Sequence, residues 1–193
     1  MPKVSAEYRA QRRAHIMAAA RRCFVRDGFH ASSMQDLVAE AGMSSGAVYR
    51  YFPSKDAVIE AIALDNLGQV GGVLARAIDD GASAQAAIAA VLEFVTVRHA
   101  EDGFAAIAVL VWSEALRNPA LAAHLRDAIG AALMKLSGDA RVEPTALAEV
   151  LLCVLPGYLM RLAVSGPERV AKIPVAVEEV LTSYGQLTCS STS

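Results

Sequence analysis

Cysteine is scarce in this chain. The three in 193 residues, Cys23, Cys153 and Cys189, are too few and too scattered for a disulfide framework or a zinc site. They read as reduced, mostly packed thiols, and neither a metal nor a cofactor is expected. Histidine is equally sparse: His15, His30, His99 and His124 stand far apart with no metal-ligand spacing, so each reads as an ordinary surface or core residue. There is no phosphate-binding glycine loop, no GxSxG elbow and no HExxH helix, the motifs through which an enzyme most often announces itself. Long apolar runs are also missing. The longest, "FAAIAVLVW" from Phe104 and "VLLCVLPGYLM" from Val150, fall well below the roughly 20 residues that cross a bilayer. The opening "MPKVSAEYRAQRRAH" is polar and lacks the apolar stretch of a secretory signal. A cytoplasmic protein without a membrane partner is the expectation.

Aromatic residues make up only 6% of the chain and charged residues 20%, whereas hydrophobic residues reach 54%, a mixture that suits Ala- and Leu-rich helices. Sustained apolar/polar alternation and hairpin turn pairs are absent, so strands are not expected and the fold class is all-α. Helices are predicted over 6–26, 34–41, 45–51, 55–79, 83–100, 104–117, 119–136, 144–164 and 168–187, with "RNP" at Arg117 and "SGP" at Ser165 as punctuation. Ser33 can cap the second helix with Asp36 answering three residues on, and Gly42 stops it. Pro156 and Pro174 each fall inside a predicted helix and are expected to kink or restart it. The division predicted is a helix-turn-helix unit over 1–54, a larger helical body over 55–188 and a frayed tail, "CSSTS", over 189–193.

Net charge is close to neutral at −2, but it is unevenly spread. Residues 1–56 hold nine Lys/Arg against five Asp/Glu, and residues 57–193 hold nine against fifteen. A basic segment on an acidic body suggests a polyanion contact at one end.

Two short helices joined at Gly42 behind a longer one make a helix-turn-helix pattern. Leu37, Val38, Ala41, Met43, Val48 and Phe52 are its apolar anchors. The outward set on the third helix is then Ser45, Gly46, Ala47, Tyr49, Arg50 and Tyr51. Small residues let a backbone approach a groove closely, and hydroxyl groups bond phosphates or base edges. Helix starts near Ser33 and Ser54–Lys55 add anion-binding N–H groups, Lys55 adds a full charge, and Arg9, Arg12 and Arg13 can reach further phosphates.

The stretch from Ile16 to Ala61, "IMAAARRCFVRDGFHASSMQDLVAEAGMSSGAVYRYFPSKDAVIEA", resembles the N-terminal domain of the tetracycline-repressor (TetR) family. The features that match are "A..CF...GF", "SSMQDLVAEAGMS" and "GAVYRYFPSKDAV". The resemblance implies a two-domain, all-α homodimer that binds a palindromic DNA operator, acts as a repressor and releases when a small molecule enters the larger domain. Carried over by position, base-reading contacts fall on Ser45, Gly46, Ala47, Tyr49 and Tyr51, and phosphate contacts on Ser33, Tyr49 and Lys55. Ser33–Met34 stands where the family often has Thr and Val or Ile, and Tyr51 where it often has His.

In the body, Phe94, Phe104, Trp112, Glu114, Met134, Tyr158 and Arg161 are candidates to line a pocket for a hydrophobic or aromatic effector. Trp112 reads more readily as core or dimer packing, and Glu114 and Arg161 as an exposed ion pair. From Leu147 to Leu162 almost every side chain is apolar, so that helix must be covered all round, by its own core on one side and a second subunit on the other. Val150, Leu151, Leu155 and Leu159, with Val177, Val180, Leu181 and Tyr184 on the last helix, are the expected dimer interface. An enzyme and a helical small-molecule carrier remain the competing classes; the carrier would make the "SSGAVYRY" surface an accident.

Overall fold

The computed structural model of the chain describes residues 5–137, 146–177 and 179–180. Among them every regular element is helical, as the composition predicts. α1 is Ala6–Ala31, α2 Met34–Ala41, α3 Ser45–Tyr51, α4 Lys55–Asp79, α5 Ala84–Asp102, α6 Phe104–Ala115, α7 Pro119–Ser137 and α8 Ala146–Ser165, followed by a 3-10 turn at Pro167–Arg169.

Serine sets most of the starts. The side chains of Ser5, Ser33, Ser44, Ser54 and Ser83 each accept from the backbone N–H three residues on, satisfying a donor that the helix itself leaves orphaned. Glycine in the left-handed region closes α2 at Gly42 (φ 60°) and α5 at Gly103 (φ 73°).

Beyond shifts of one or two residues at the ends of α5 to α8, three features differ from the sequence expectation. α1 breaks at Gly28 (φ 78°, ψ 171°) but resumes and ends at Ala31 instead of Arg26. Phe29, 3% exposed, draws the chain back by meeting Phe24 edge to face at 4.8 Å, and that aromatic burial outweighs the glycine stop. α8 runs through Pro156 without ending; one lost N–H bond is outweighed by the burial of Tyr158, Leu159 and Leu162 in the turns that follow. The helix expected from Glu168 begins at residue 173 instead, after the 3-10 turn. Pro174 thereby occupies a first turn, where its missing N–H costs nothing, and buried Val170 anchors the turn before it. The predicted tail over 189–193 lies outside the described residues.

The helices enclose two cores. Ile16, Phe24, Leu37, Val48, Phe52, Val58 and Ile62 form the first, with Ile107, Val111 and Leu121 reaching in from α6 and α7. Leu74, Ile88, Leu92, Phe104, Tyr158 and Leu162 form the second. α4 supplies both, so the expected border at residues 54/55 falls at the start of a helix that ties the two together. By length and composition α4, 25 residues, could pass for a bilayer span, but Val58, Ile59, Ile62 and Leu74 on it are covered by neighbouring helices.

A polar seam crosses the junction of α1, α4 and α5. Arg21, only 5% exposed, donates from Nη2 to Asp65 Oδ2 at 2.9 Å and to Asn66 Oδ1 at 2.6 Å. Arg98 donates to Gln69 Oε1 at 2.6 Å and pairs with Asp102. A buried guanidinium needs such partners to offset its desolvation, and these partners come from the body helices. The N-terminal unit is thus tied to the rest by charge as well as by apolar packing.

Candidate nucleic-acid interface and apolar cavity

α3 is pinned from beneath by Val48, fully buried, and by Phe52 at its C-terminal end. Pinning one face of a helix decides the other, because residues one turn apart share a face. Ser45 with Tyr49, and Gly46 with Arg50, are such pairs, and all four are exposed. Neither Tyr49 nor Arg50 has a hydrogen-bond or ion-pair partner among the described residues, so both side chains are available to a ligand. Ala47 is half-buried, its N–H taken by the Ser44 cap. Tyr51 is half-buried against the first core, which gives its ring a packing role that periodicity alone did not reveal.

Ser33 and Lys55 are more engaged than a purely external role requires. The Ser33 hydroxyl and N–H both donate to Asp36 Oδ2, at 2.6 and 2.8 Å, and Asp36 N–H returns a bond at 3.2 Å. These bonds, the hydroxyl's first, hold the Asp36 carboxyl below its ordinary range. Lys55 Nζ donates to Phe29 O at 2.7 Å and Ser32 O at 2.9 Å, carbonyls in and just beyond the last turn of α1. Two of its three protons therefore tie α4 to the α1–α2 junction, and one remains for another acceptor.

Several cations of α1 are likewise held in place. Arg13 lies over the Phe52 ring at 4.5 Å from its centroid, and Arg12 Nε donates to the Tyr8 hydroxyl at 3.0 Å. Arg22 and Arg26 approach Glu40 at 2.6 and 3.5 Å, locking α1 to α2; the Arg22 hydrogen bond is the main reason the Glu40 carboxyl stays below its usual range. His15 Nε2 lies 2.9 Å from Ala41 O at the end of α2, a clasp that its isolation in sequence concealed.

A cavity of about 1100 Å³ lies between α4, α5, α6, α7 and α8. Three of the seven predicted pocket residues line it: Phe104, Trp112 and Met134. The other four lie elsewhere. Phe94 meets Phe104 edge to face at 6.0 Å and faces a separate groove along α4. Glu114 turns to Arg117 at 3.2 Å and lies 3.6 Å from His30. Tyr158 is buried, its hydroxyl 2.7 Å from Thr96 Oγ1, and Arg161 is exposed on α8. Asn66, His124 and Leu155 line the cavity unforeseen. For Asn66 the available signal was an amide set among Ile62, Leu64, Leu67 and Val70 in the "AIALDNLGQV" of α4.

The expected dimer residues also divide. Val150 and Val180 are exposed, at 53% and 66%. Leu159 is buried in the second core, Val177 packs against it, and Leu155 faces the cavity, so these three are inward residues rather than interface ones. The side chain of Leu151, and Leu181 and Tyr184 altogether, lie outside the described residues. The outer stripe of α8 instead continues from Val150 through Cys153 and Gly157 to Met160 (56% exposed) and Val164 (81%).

The sequence pattern described as "Bacterial regulatory proteins, tetR family" matches residues 16–62, the segment that builds α2, α3, their anchors and the start of α4. The chain is 38% identical over 76 residues to the "HTH-type transcriptional repressor Rv1474c" of Mycobacterium tuberculosis, covering 39% of this chain and 41% of that one. It is 33% identical over 115 residues to the "HTH-type transcriptional regulator UidR" of Escherichia coli, covering 60% and 57%. The matches thus span about half the length of these curated relatives. Among solved structures, Salmonella enterica GusR aligns at a TM-score of 0.70 with 26% identity, over 94% of this chain and 97% of that one. Bacillus subtilis FadR, solved in complex with stearoyl-CoA, aligns at 0.67 with 17% identity over 87% and 96%, a likeness of fold.

Proposed function

Because residues 16–62 match the tetR family of bacterial regulatory proteins and the helices follow the fold of GusR, we propose that this chain is a member of that family, a DNA-binding transcriptional repressor whose α3 enters the major groove of each half of a palindromic operator. The observation that carries the reading is the outward face of Ser45, Gly46, Tyr49 and Arg50, uncommitted to the protein and set on fully buried anchors. Tyr49 and Arg50 supply groups for base edges or phosphates, while Ser45 and Gly46 let the backbone come close. Ala47 and Tyr51 complete the helix, and Ser33 and the third proton of Lys55 meet phosphates on either side.

A homodimer is supported by the outer stripe of α8, where Val150, Met160 and Val164 present apolar surface left open by the described residues. Two-fold symmetry then demands half-sites about one DNA turn, 34–36 Å, or a simple multiple apart. The cavity takes a small, mainly apolar or aromatic effector, a reading supported by FadR, a relative in fold that was solved with stearoyl-CoA. α4 forms part of the cavity wall and also packs against α1, so a ligand that shifts α4 changes the separation of the two reading heads. Moving occupancy from nearly full to nearly empty requires a preference of about 5.5 kcal/mol for the released shape.

The test is selection of bound duplexes from a random pool, followed by titration of the selected site with Tyr49→Ala. A loss of roughly tenfold, about 1.4 kcal/mol, with dimer and helicity intact is expected. Undiminished affinity would remove Tyr49 from the interface, and failure to enrich any sequence would overturn the DNA reading.

A further inference from the structure

We propose that Asn66 is the hydrogen-bond donor through which the cavity recognises a carbonyl oxygen on an otherwise apolar ligand; the inference rests on the cavity being the effector site. Asn66 stands in the cavity wall, 5% exposed, beside Ala63, Leu67 and Val70. Its Oδ1 accepts from Arg21 Nη2 at 2.6 Å. A guanidinium only donates, so this bond settles which end of the amide is oxygen and which is the NH2 group. That nitrogen, Nδ2, is buried and has no protein partner among the described residues. A buried donor left unmet is destabilising, and a ligand that supplies an acceptor removes the penalty.

The other polar groups of the wall differ in exposure or in partners. His124 Nδ1 also lacks a hydrogen-bond partner among the described residues, with Glu60 no nearer than 3.6 Å, but its side chain is 32% exposed; Lys135 donates to Asp79 at 2.5 Å, and Asp127, Glu149 and Cys153 are exposed. Among the described lining residues, Asn66 alone is both nine-tenths buried and left with an unmet donor.

The chemistry of the ligand follows from the donor. An ammonium is excluded because it brings no acceptor and would approach the Arg21 charge. A pure hydrocarbon fills the volume but leaves Nδ2 unmet. A ketone, ester, lactone or amide oxygen meets it, and the Arg21 bond to the oxygen of the same amide polarises Nδ2–H and strengthens the interaction. The same side chain also holds α1, so the ligand's carbonyl and the N-terminal unit share one amide.

The test uses the full chain and a matched pair of probes, benzophenone and diphenylmethane, which differ only by the carbonyl. Each displaces 1-anilinonaphthalene-8-sulfonate, followed by energy transfer from Trp112, the single tryptophan of the chain and a residue of the cavity wall. Benzophenone is expected to compete about five- to tenfold better. Asn66→Asp keeps an oxygen for Arg21 and replaces the donor by an acceptor, so the preference should fall to within twofold; Asn66→Leu should do the same. Circular dichroism checks that each variant folds, and if Asn66→Leu does not, Asn66→Asp decides. Equal competition by the two probes in the wild type overturns this proposal and leaves the cavity reading standing. Failure of both to compete overturns the cavity reading and the proposal with it. A preference that survives in Asn66→Asp assigns the carbonyl to another donor and also overturns the proposal.

Discussion

Replacing Lys55 by methionine separates the two roles that its position combines. Methionine keeps most of the aliphatic stem, so the loss is confined to the ammonium and its bonds to Phe29 O and Ser32 O at 2.7 and 2.9 Å. Hydrogen bonds to a charged group contribute about 1.5–3 kcal/mol each when sheltered. Lys55 is half-buried, so solvent screening cuts that roughly in half, to about 1.5–3 kcal/mol for the pair. In a chain of this size such a loss lowers Tm by about 3–12 °C. Equilibrium unfolding in urea, followed by circular dichroism, measures the first role. The second is read from binding to a mixed-sequence duplex over a salt series, at a temperature where the variant is fully folded. Each phosphate that the protein no longer neutralises reduces the slope of log K against log salt by about 0.9. Wild-type stability in Lys55→Met would refute the carbonyl clasp, and an unchanged slope would take Lys55 out of the phosphate-binding set.

Gly103→Ala should destabilise by about 2–4 kcal/mol, because Gly103 has φ 73° and an added Cβ would lie 2.6 Å from Val25 Cγ2. Pairing it with Val25→Ala should recover the steric part and leave the backbone part, and strict additivity in urea unfolding would contradict the clash. Asp36 has a folded pKa below its ordinary 3.8, so its cap stabilises fully above about that pH and is lost as pH falls through the lower folded value. Asp36→Asn should therefore be less stable than wild type at neutral pH, with a gap that closes in acid; a gap constant with pH would show that the carboxylate charge does not matter. Met160→Glu, on the outer stripe of α8, should yield monomers in light scattering. A persistent dimer would move the interface elsewhere. Leu155→Glu faces the cavity and should act first on folding and ligand binding.

What could be read along the chain is what neighbours in sequence decide. Ser33, Asp36 and Gly42 lie within ten residues, and the capping box and left-handed stop form as their spacing predicts. The same holds for the limits of α2, α3 and α4, and for the outward face of α3, where burying Val48 exposes residues 45, 46, 49 and 50 by helical geometry alone. The resemblance over residues 16–61 belongs to this local class, since the pattern is itself a run of caps, anchors and turns.

Only the tertiary structure decided how the sides of the body helices divide. A helix as nearly apolar as α8 carries little periodic signal to say which side meets the core; Leu155 and Leu159 turn inward while Val150, Met160 and Val164 stay outside. The partners of the buried polar groups are equally remote: Lys55 finds carbonyls 26 and 23 residues away, Arg21 finds Asn66 45 residues away, and Tyr158 finds Thr96 62 residues away. Desolvation forces each such group to find a partner, but any of several residues of the right chemistry would serve. Which one it meets depends on how the helices cross, and that is determined by apolar packing spread over the whole chain.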